Sequence, residues 1–93
     1  MAHEGFGAAL LEDLHGGRPR VEIIGNTRVV VENHRGIQEY DDSVLRVQCS
    51  GCEVRITGDG LALTALSLDE LAVTGTIVSV EYTTNEPDRG RDA

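Results

Sequence analysis

The side chains best suited to chemistry are Cys49 and Cys52, set apart by Ser50-Gly51 in the C-x-x-C spacing of thiol-disulfide proteins and of half a zinc site. An attacking thiol must ionise near neutral pH, which takes a helix N-terminus or a neighbouring cation. Here the pair flanks a turn signal with Glu53 beside it, and a carboxylate raises a thiol pKa. A structural zinc needs four ligands, yet no second pair follows and His34 is the only histidine in the strand-rich region. The expected reading is two small apolar side chains packed beside Val47 and Val54. A thiol-disulfide protein using Cys49 and Cys52 stands as the alternative function.

The paired acids Asp41-Asp42 and Asp69-Glu70 have the makings of a general acid and base, but both fall where the chain should turn. His3, His15 and His34 have no Ser or Cys at a nucleophile spacing, and G-x-S-x-G, H-E-x-x-H and a glycine-rich phosphate loop are all absent from the sequence. No catalytic residue, metal ligand or cofactor is expected, and the protein is read as a non-enzyme.

Charge narrows the partners. Sixteen Asp and Glu oppose eight Arg, with no Lys, for a formal net charge of -8. Such a surface repels phosphate backbones and anionic headgroups, so nucleic acid is not an expected partner. Phe6, Tyr40 and Tyr82 are the only aromatics, too few for a base-stacking platform. The longest aliphatic run, residues 8–11, is far short of the ~20 residues that span a bilayer, and no leader pattern opens the chain. No direct membrane insertion is expected, and the location is read as cytoplasmic.

The elements that must position these groups follow from the apolar spacing. Within residues 4–15, Phe6, Leu10, Leu11 and Leu14 recur at helical intervals before Gly16-Gly17, so residues 1–17 are expected to hold a short helix. From Thr84 onward no apolar residue occurs except the last, so residues 84–93 are expected to form a disordered acidic tail. Residues 18–83 read as one all-β domain, with Val, Ile, Thr and Leu runs punctuated by Gly, Asn or Asp about every 7–9 residues.

A unit recurs in that domain as Val21-x-Ile23-x-Gly25, Val54-x-Ile56-x-Gly58 and Leu71-x-Val73-x-Gly75, each expected to open a hairpin. A three-residue loop, Gly25-Asn26-Thr27, brings Ile23 against Val29 and Val21 against Val31. A Ser50-Gly51 turn brings Cys49 against Cys52, Val47 against Val54 and Leu45 against Ile56. It also sets Arg46 opposite Arg55, a mildly unfavourable pair unless Glu53 or an outside carboxylate intervenes, and hence a pointer to an acidic partner. A Gly58-Asp59 turn would set Ile56 against Leu61 and Val54 against Leu63. A Gly75-Thr76 turn would set Val73 against Val78 and Leu71 against Val80. Around Asp41-Asp42 no single register is clean.

The expected architecture is about eight short antiparallel strands in a hairpin meander that folds into a sandwich, roll or small barrel. The alternative is a β-solenoid-like stack, permitted by the interval from Gly58 to Gly75 and about twice that from Gly25 to Gly58. A core of Val, Ile and Leu alone is light, which makes homo-oligomerisation a working hypothesis. A ligand-binding barrel is a third reading and would need an enclosed cavity.

The string Glu32-Asn33-His34-Arg35-Gly36 reads by itself as a loop in which Gly36 suits a positive φ. In its wider context it carries a resemblance. Pro19-Arg20-Val21-x-Ile23-Ile24-Gly25, Val31 through this string to Ile37-x-x-Tyr40, and Leu45-Arg46-Val47 are similar to the YabP/YqfC family of sporulation proteins. So are Gly51-x-x-Val54-x-Ile56-x-Gly58-x-x-Leu61-x-Leu63 and Leu66-x-Leu68-x-Glu70-Leu71-x-Val73-x-Gly75-x-Ile77-x-Ser79-Val80. The likeness runs from about residue 19 to 82 and is nearer the YqfC branch, with Cys49 and Cys52 as its departure.

This resemblance implies a protein of endospore formation, made in the mother cell and without catalytic activity. It further implies docking to a membrane-bound sporulation partner, peripheral to the forespore outer membrane. The candidate partner-binding residues are Glu32, Asn33, His34, Arg35, Gly36, Arg46 and Arg55, with free strand edges as the physical means of assembly.

Overall fold

The computed structural model describes residues 17–84. The helix expected within residues 1–17 and the tail expected over residues 84–93 therefore lie outside the described residues, except at Gly17 and Thr84. Six strands follow one another: β1 (Arg20–Ile24), β2 (Arg28–Glu32), β3 (His34–Tyr40), β4 (Val44–Cys49), β5 (Cys52–Leu66) and β6 (Glu70–Thr84). They form one antiparallel sheet in the order β1-β2-β6-β5-β4-β3. That order departs from a simple meander, because β6 inserts between β2 and β5.

Two of the anticipated hairpins have the registers read from sequence. Val21 pairs with Val31 and Ile23 with Val29 around the Gly25 loop. Leu45 pairs with Ile56, Val47 with Val54 and Arg46 with Arg55 around Ser50-Gly51. The unclear register near Asp41-Asp42 also has a cause, since β3 shifts register against β4 twice on the way from His34 to Tyr40.

The hairpins expected at Gly58 and Gly75 do not form. β5 and β6 are each fifteen residues long and run straight through these glycines, so the strand count is six rather than about eight. Ile56 faces Val80, Val54 faces Tyr82 and Leu63 faces Val73. A Cβ on Gly58 would lie 2.1 Å from the carbonyl oxygen of Thr76, and one on Gly75, where φ is +140°, would lie 2.8 Å from that of Gly60. The glycines let two long strands bend together in close contact instead of reversing each. The antiparallel ladder likewise displaces the solenoid-like alternative.

The bend folds the sheet into a roll. β2 pairs only with residues 70–74 of β6, and β4 only with residues 53–57 of β5, so each long strand serves a different half at each end. Val29, Val31, Leu71 and Val73 from one half join Leu45, Val47, Val54 and Ile56 from the other in a single buried cluster, closed at the bend by Leu61 and Ile77. Leu63 and Val80 pack against it. The sheet is open, since β1 and β3 each have one neighbour, and aliphatic side chains fill the buried cluster between its halves.

The bend leaves backbone donors that two outer turns satisfy. Asn26 and Thr27 supply carbonyl oxygens to the N–H groups of Ile77 (2.7 Å) and Gly75 (3.1 Å). Ser43 and Asp42 do the same for Gly58 (3.0 Å) and Leu61 (2.9 Å). Buried amides must be paired, so these turns belong to the bend as much as to their own hairpins.

Candidate functional site

One residue, Asn33, carries the chain from β2 in one half of the roll to β3 in the other. It adopts φ +68°, a left-handed conformation that asparagine tolerates better than most residues. Its side-chain amide donates to the carbonyl of Arg18 at 3.1 Å. The turn is therefore made at Asn33, whereas Gly36, at φ +146°, sits one step later in an irregularity of β3.

That irregularity shapes the site. His34 pairs with Cys49 and Gly36 with Gln48, leaving Arg35 between them without an opposite residue. A bulge of this kind bends the strand and re-aims a side chain, and Arg35 is exposed. His34 goes the other way and is 7% exposed. Its Nε2 lies 3.0 Å from the carbonyl oxygen of Ser67, so Nε2 carries the proton and donates, while Nδ1 is buried without a partner.

Three hydrogen bonds thus tie this corner to the β5–β6 turn, because the backbone N–H groups of Asn33 and His34 also both reach the carbonyl of Asp69. Within that turn the N–H of Ser67 donates to the carbonyl of Glu70 at 2.7 Å, and Ser67 Oγ accepts from the N–H of Glu70 at 3.2 Å. Asp69 lies in that turn, as its position in the sequence suggested, whereas Glu70 already opens β6 opposite Glu32. Asp41 is likewise structural: its carboxylate accepts from the N–H groups of Ser43 (2.8 Å) and Val44 (2.9 Å), which hold its pKa below the ordinary aspartate value.

Between the corner and the turn lies an open groove of about 530 Å³, lined by His34, Arg35, Gly36, Ile37, Leu66, Ser67 and Leu68. Leu66 is 60% exposed and Leu68, at the tip of the turn, 96%. A leucine so placed costs hydration free energy and contributes nothing to the core. The groove therefore joins apolar walls to one guanidinium on a floor fixed by the three hydrogen bonds.

Of the seven residues singled out from sequence, His34, Arg35 and Gly36 line this groove, and Glu32 and Asn33 build the corner beneath it. Arg46 and Arg55 lie elsewhere, opposite each other on β4 and β5. The carboxylates of Glu39 (2.8 Å) and Glu53 (3.2 Å) flank Arg46, so its charge is answered within the chain. Sequence reasoning missed Leu66, Ser67 and Leu68 as site residues. The available signal was an apolar Leu68 between Ser67 and Asp69, where a turn calls for polar residues.

The two thiols flank the β4–β5 turn, Cys49 opposite His34 on β3, and are not bonded to each other. Burial, reinforced by the neighbouring Cys52, pushes Cys49 up to about 11, and burial raises Cys52 as well. Both shifts oppose the thiolate that exchange chemistry needs. Among the described residues no group of three His, Cys, Asp or Glu side chains could hold a metal ion, and no helix is long and apolar enough to cross a membrane.

These features define a class: a rolled antiparallel β module with an apolar, arginine-bearing groove where two of its connections meet. Comparison with known families matches residues 15–89 to the YabP family. The chain belongs to the YabP family, which is associated with sporulation. It is also similar to the uncharacterized protein YqfC of Bacillus subtilis (strain 168), with 28% identity over 64 residues, covering 69% of each chain. No solved structure matches it.

Proposed function

We propose that the chain is a non-enzymatic module of sporulation, working in the mother cell, that docks a membrane-bound sporulation partner at the forespore envelope. The supporting observation is the groove beside Arg35, where Leu66 and Leu68 stay in solvent although the core lies one residue away. A partner segment with an apolar side chain for the leucines and a carboxylate for Arg35 fits it. The fixed floor lowers the ordering cost of such binding.

The test is light scattering after size exclusion, with the membrane protein that the YabP/YqfC resemblance implies as partner, a neighbouring gene's product, supplied in detergent. Leu68→Asp and Arg35→Glu change exposed side chains, so each is expected to weaken the complex about tenfold or more while the circular dichroism is unchanged. His34→Ala is a poorer probe than its place in the string suggests, because it removes a buried bond of the fold. No complex with the intact chain, or an affinity that neither variant changes, overturns the docking reading. Loss of sporulation in a Cys49→Ser, Cys52→Ser double variant that still docks would favour the thiol alternative.

A further inference from the structure

The chain enters the described fold beside the groove. Gly17 takes a left-handed φ of +53°, and the carbonyl of Arg18 is then held at 3.1 Å by the side-chain amide of Asn33, the residue before the groove-lining His34. Arg20, Glu32 and Glu70 stand in one row across β1, β2 and β6. Neighbouring strands are ~4.8 Å apart, so β1 starts about 10 Å from the start of β6, just beyond the turn that carries Leu68. From there β1 runs away from the corner and takes its own exposed pair, Ile23 and Ile24, to the other end of the ladder. The nearest exposed apolar surface to the point of entry is therefore the groove.

The sequence that leads into Gly17 fits that surface. Phe6, Leu10 and Leu14 recur every four residues with Leu11 beside them, and the charged side chains before Gly17 are Glu4, Glu12 and Asp13. At about 100° per residue, Glu4 and Asp13 border the apolar stripe and Glu12 faces away from it. A helix as short as residues 4–15 is marginal in water unless its apolar face is covered, and a left-handed glycine such as Gly17 is a common helix stop. The groove offers Leu66 and Leu68 on one wall and Ile37 on the other. Its one charged lining side chain, Arg35, is exposed and has no ion pair among the described residues.

We infer that residues 4–15 occupy the groove of their own chain, with Phe6, Leu10 and Leu14 against Leu66 and Leu68 and a bordering carboxylate toward Arg35. Apolar spacing and the sign of the charge both match, and the point of attachment selects this segment over a second copy. Gly16-Gly17 is a short linker, which holds the segment at an effective concentration in the mM range that a copy at about 1 µM does not approach. The inference rests on the docking reading in one respect: the membrane-bound partner must displace the segment, so the groove is covered until that partner arrives. A partner that binds only the uncovered form loses apparent affinity in proportion to the covered fraction.

Phe6→Trp gives the full chain its only tryptophan and tests this without any partner. Its emission is expected to be blue-shifted and shielded from acrylamide, and to be the same at about 1 µM and about 100 µM because the contact lies within one chain. In that background Leu68→Asp, on the groove, and Leu10→Asn with Leu14→Asn, on the segment, should each move the emission to the red and open it to the quencher, while far-ultraviolet circular dichroism still shows the sheet. With the partner added, the Leu10→Asn, Leu14→Asn chain should bind it about twofold more tightly than the intact chain. A tryptophan as exposed as in urea overturns the inference. So does an emission that changes with chain concentration, which would assign the groove to another copy, or one that Leu68→Asp leaves unchanged, which would put the segment elsewhere. Partner binding that Leu68→Asp weakens but the segment changes do not tighten overturns it as well. A partner that never binds sinks the docking reading alone, since the tryptophan reports on the groove without it.

Discussion

Gly25 and Gly58 end the same local pattern, Val-x-Ile-x-Gly, and do opposite things. At Gly25 the chain reverses into a three-residue loop; at Gly58 it continues along a fifteen-residue strand. Around Gly25, at φ +55°, nothing lies within 4 Å of where a Cβ would project. Around Gly58 φ is unremarkable, but the space is filled by the Thr76 backbone. One glycine is needed for its conformational freedom and the other for what it lacks. A local pattern can announce an interruption without saying which of these causes it.

Substitutions should separate the two most sharply at Gly58. Gly58→Ala must push a backbone carbonyl aside, so we expect a loss of about 3 kcal/mol or more in urea unfolding, or no folded protein at all. Gly25→Ala meets only the left-handed backbone cost, about 1 kcal/mol, and Gly25→Asn about half that or less. Equal losses at the two positions would mean that β5 turns at Gly58 after all.

Smaller effects sharpen the contrast between connections that brace the bend and those that frame the groove. His34→Ala removes the bond to Ser67 and leaves a void, at an expected cost of about 2 kcal/mol. Leu68→Asp is expected to change stability by less than about 0.5 kcal/mol while weakening docking about tenfold or more. For Asp41, a pKa lowered in the fold means that its contribution is present above the unfolded value of about 3.9 and is lost as pH falls through the lower folded value. Asp41→Asn should therefore flatten the decline in Tm below about pH 4. With a disulfide reagent at pH 8, the folded chain should react slowly at Cys49, in keeping with its raised pKa, and rapidly once unfolded.

Much of this was legible in the sequence because side-chain alternation is a local rule. The common face of Val47, Val54, Ile56, Leu63, Val73 and Val80, and the registers at Gly25 and Ser50-Gly51, needed only that rule and a turn type. What escaped was non-local. Continuity through Gly58 and Gly75 depends on each strand lying against the other, and the β3 shifts depend on its crossing between halves at Asn33. Of the site, the string from Glu32 to Gly36 stood out, but its counterpart at Leu66, Ser67 and Leu68 is 33 residues away in the His34–Ser67 contact. No spacing rule joins the two, because the bend alone brings them together.

The most direct measurement is therefore the set of cross-strand nuclear Overhauser contacts in the isotope-labelled chain. Backbone contacts between Ile56 and Val80, Val54 and Tyr82, and Leu63 and Val73 are expected for one long bent hairpin. Contacts of Ile56 with Leu61 and of Leu71 with Val80 would instead show two short hairpins, and the groove would lose the turn that forms its second wall.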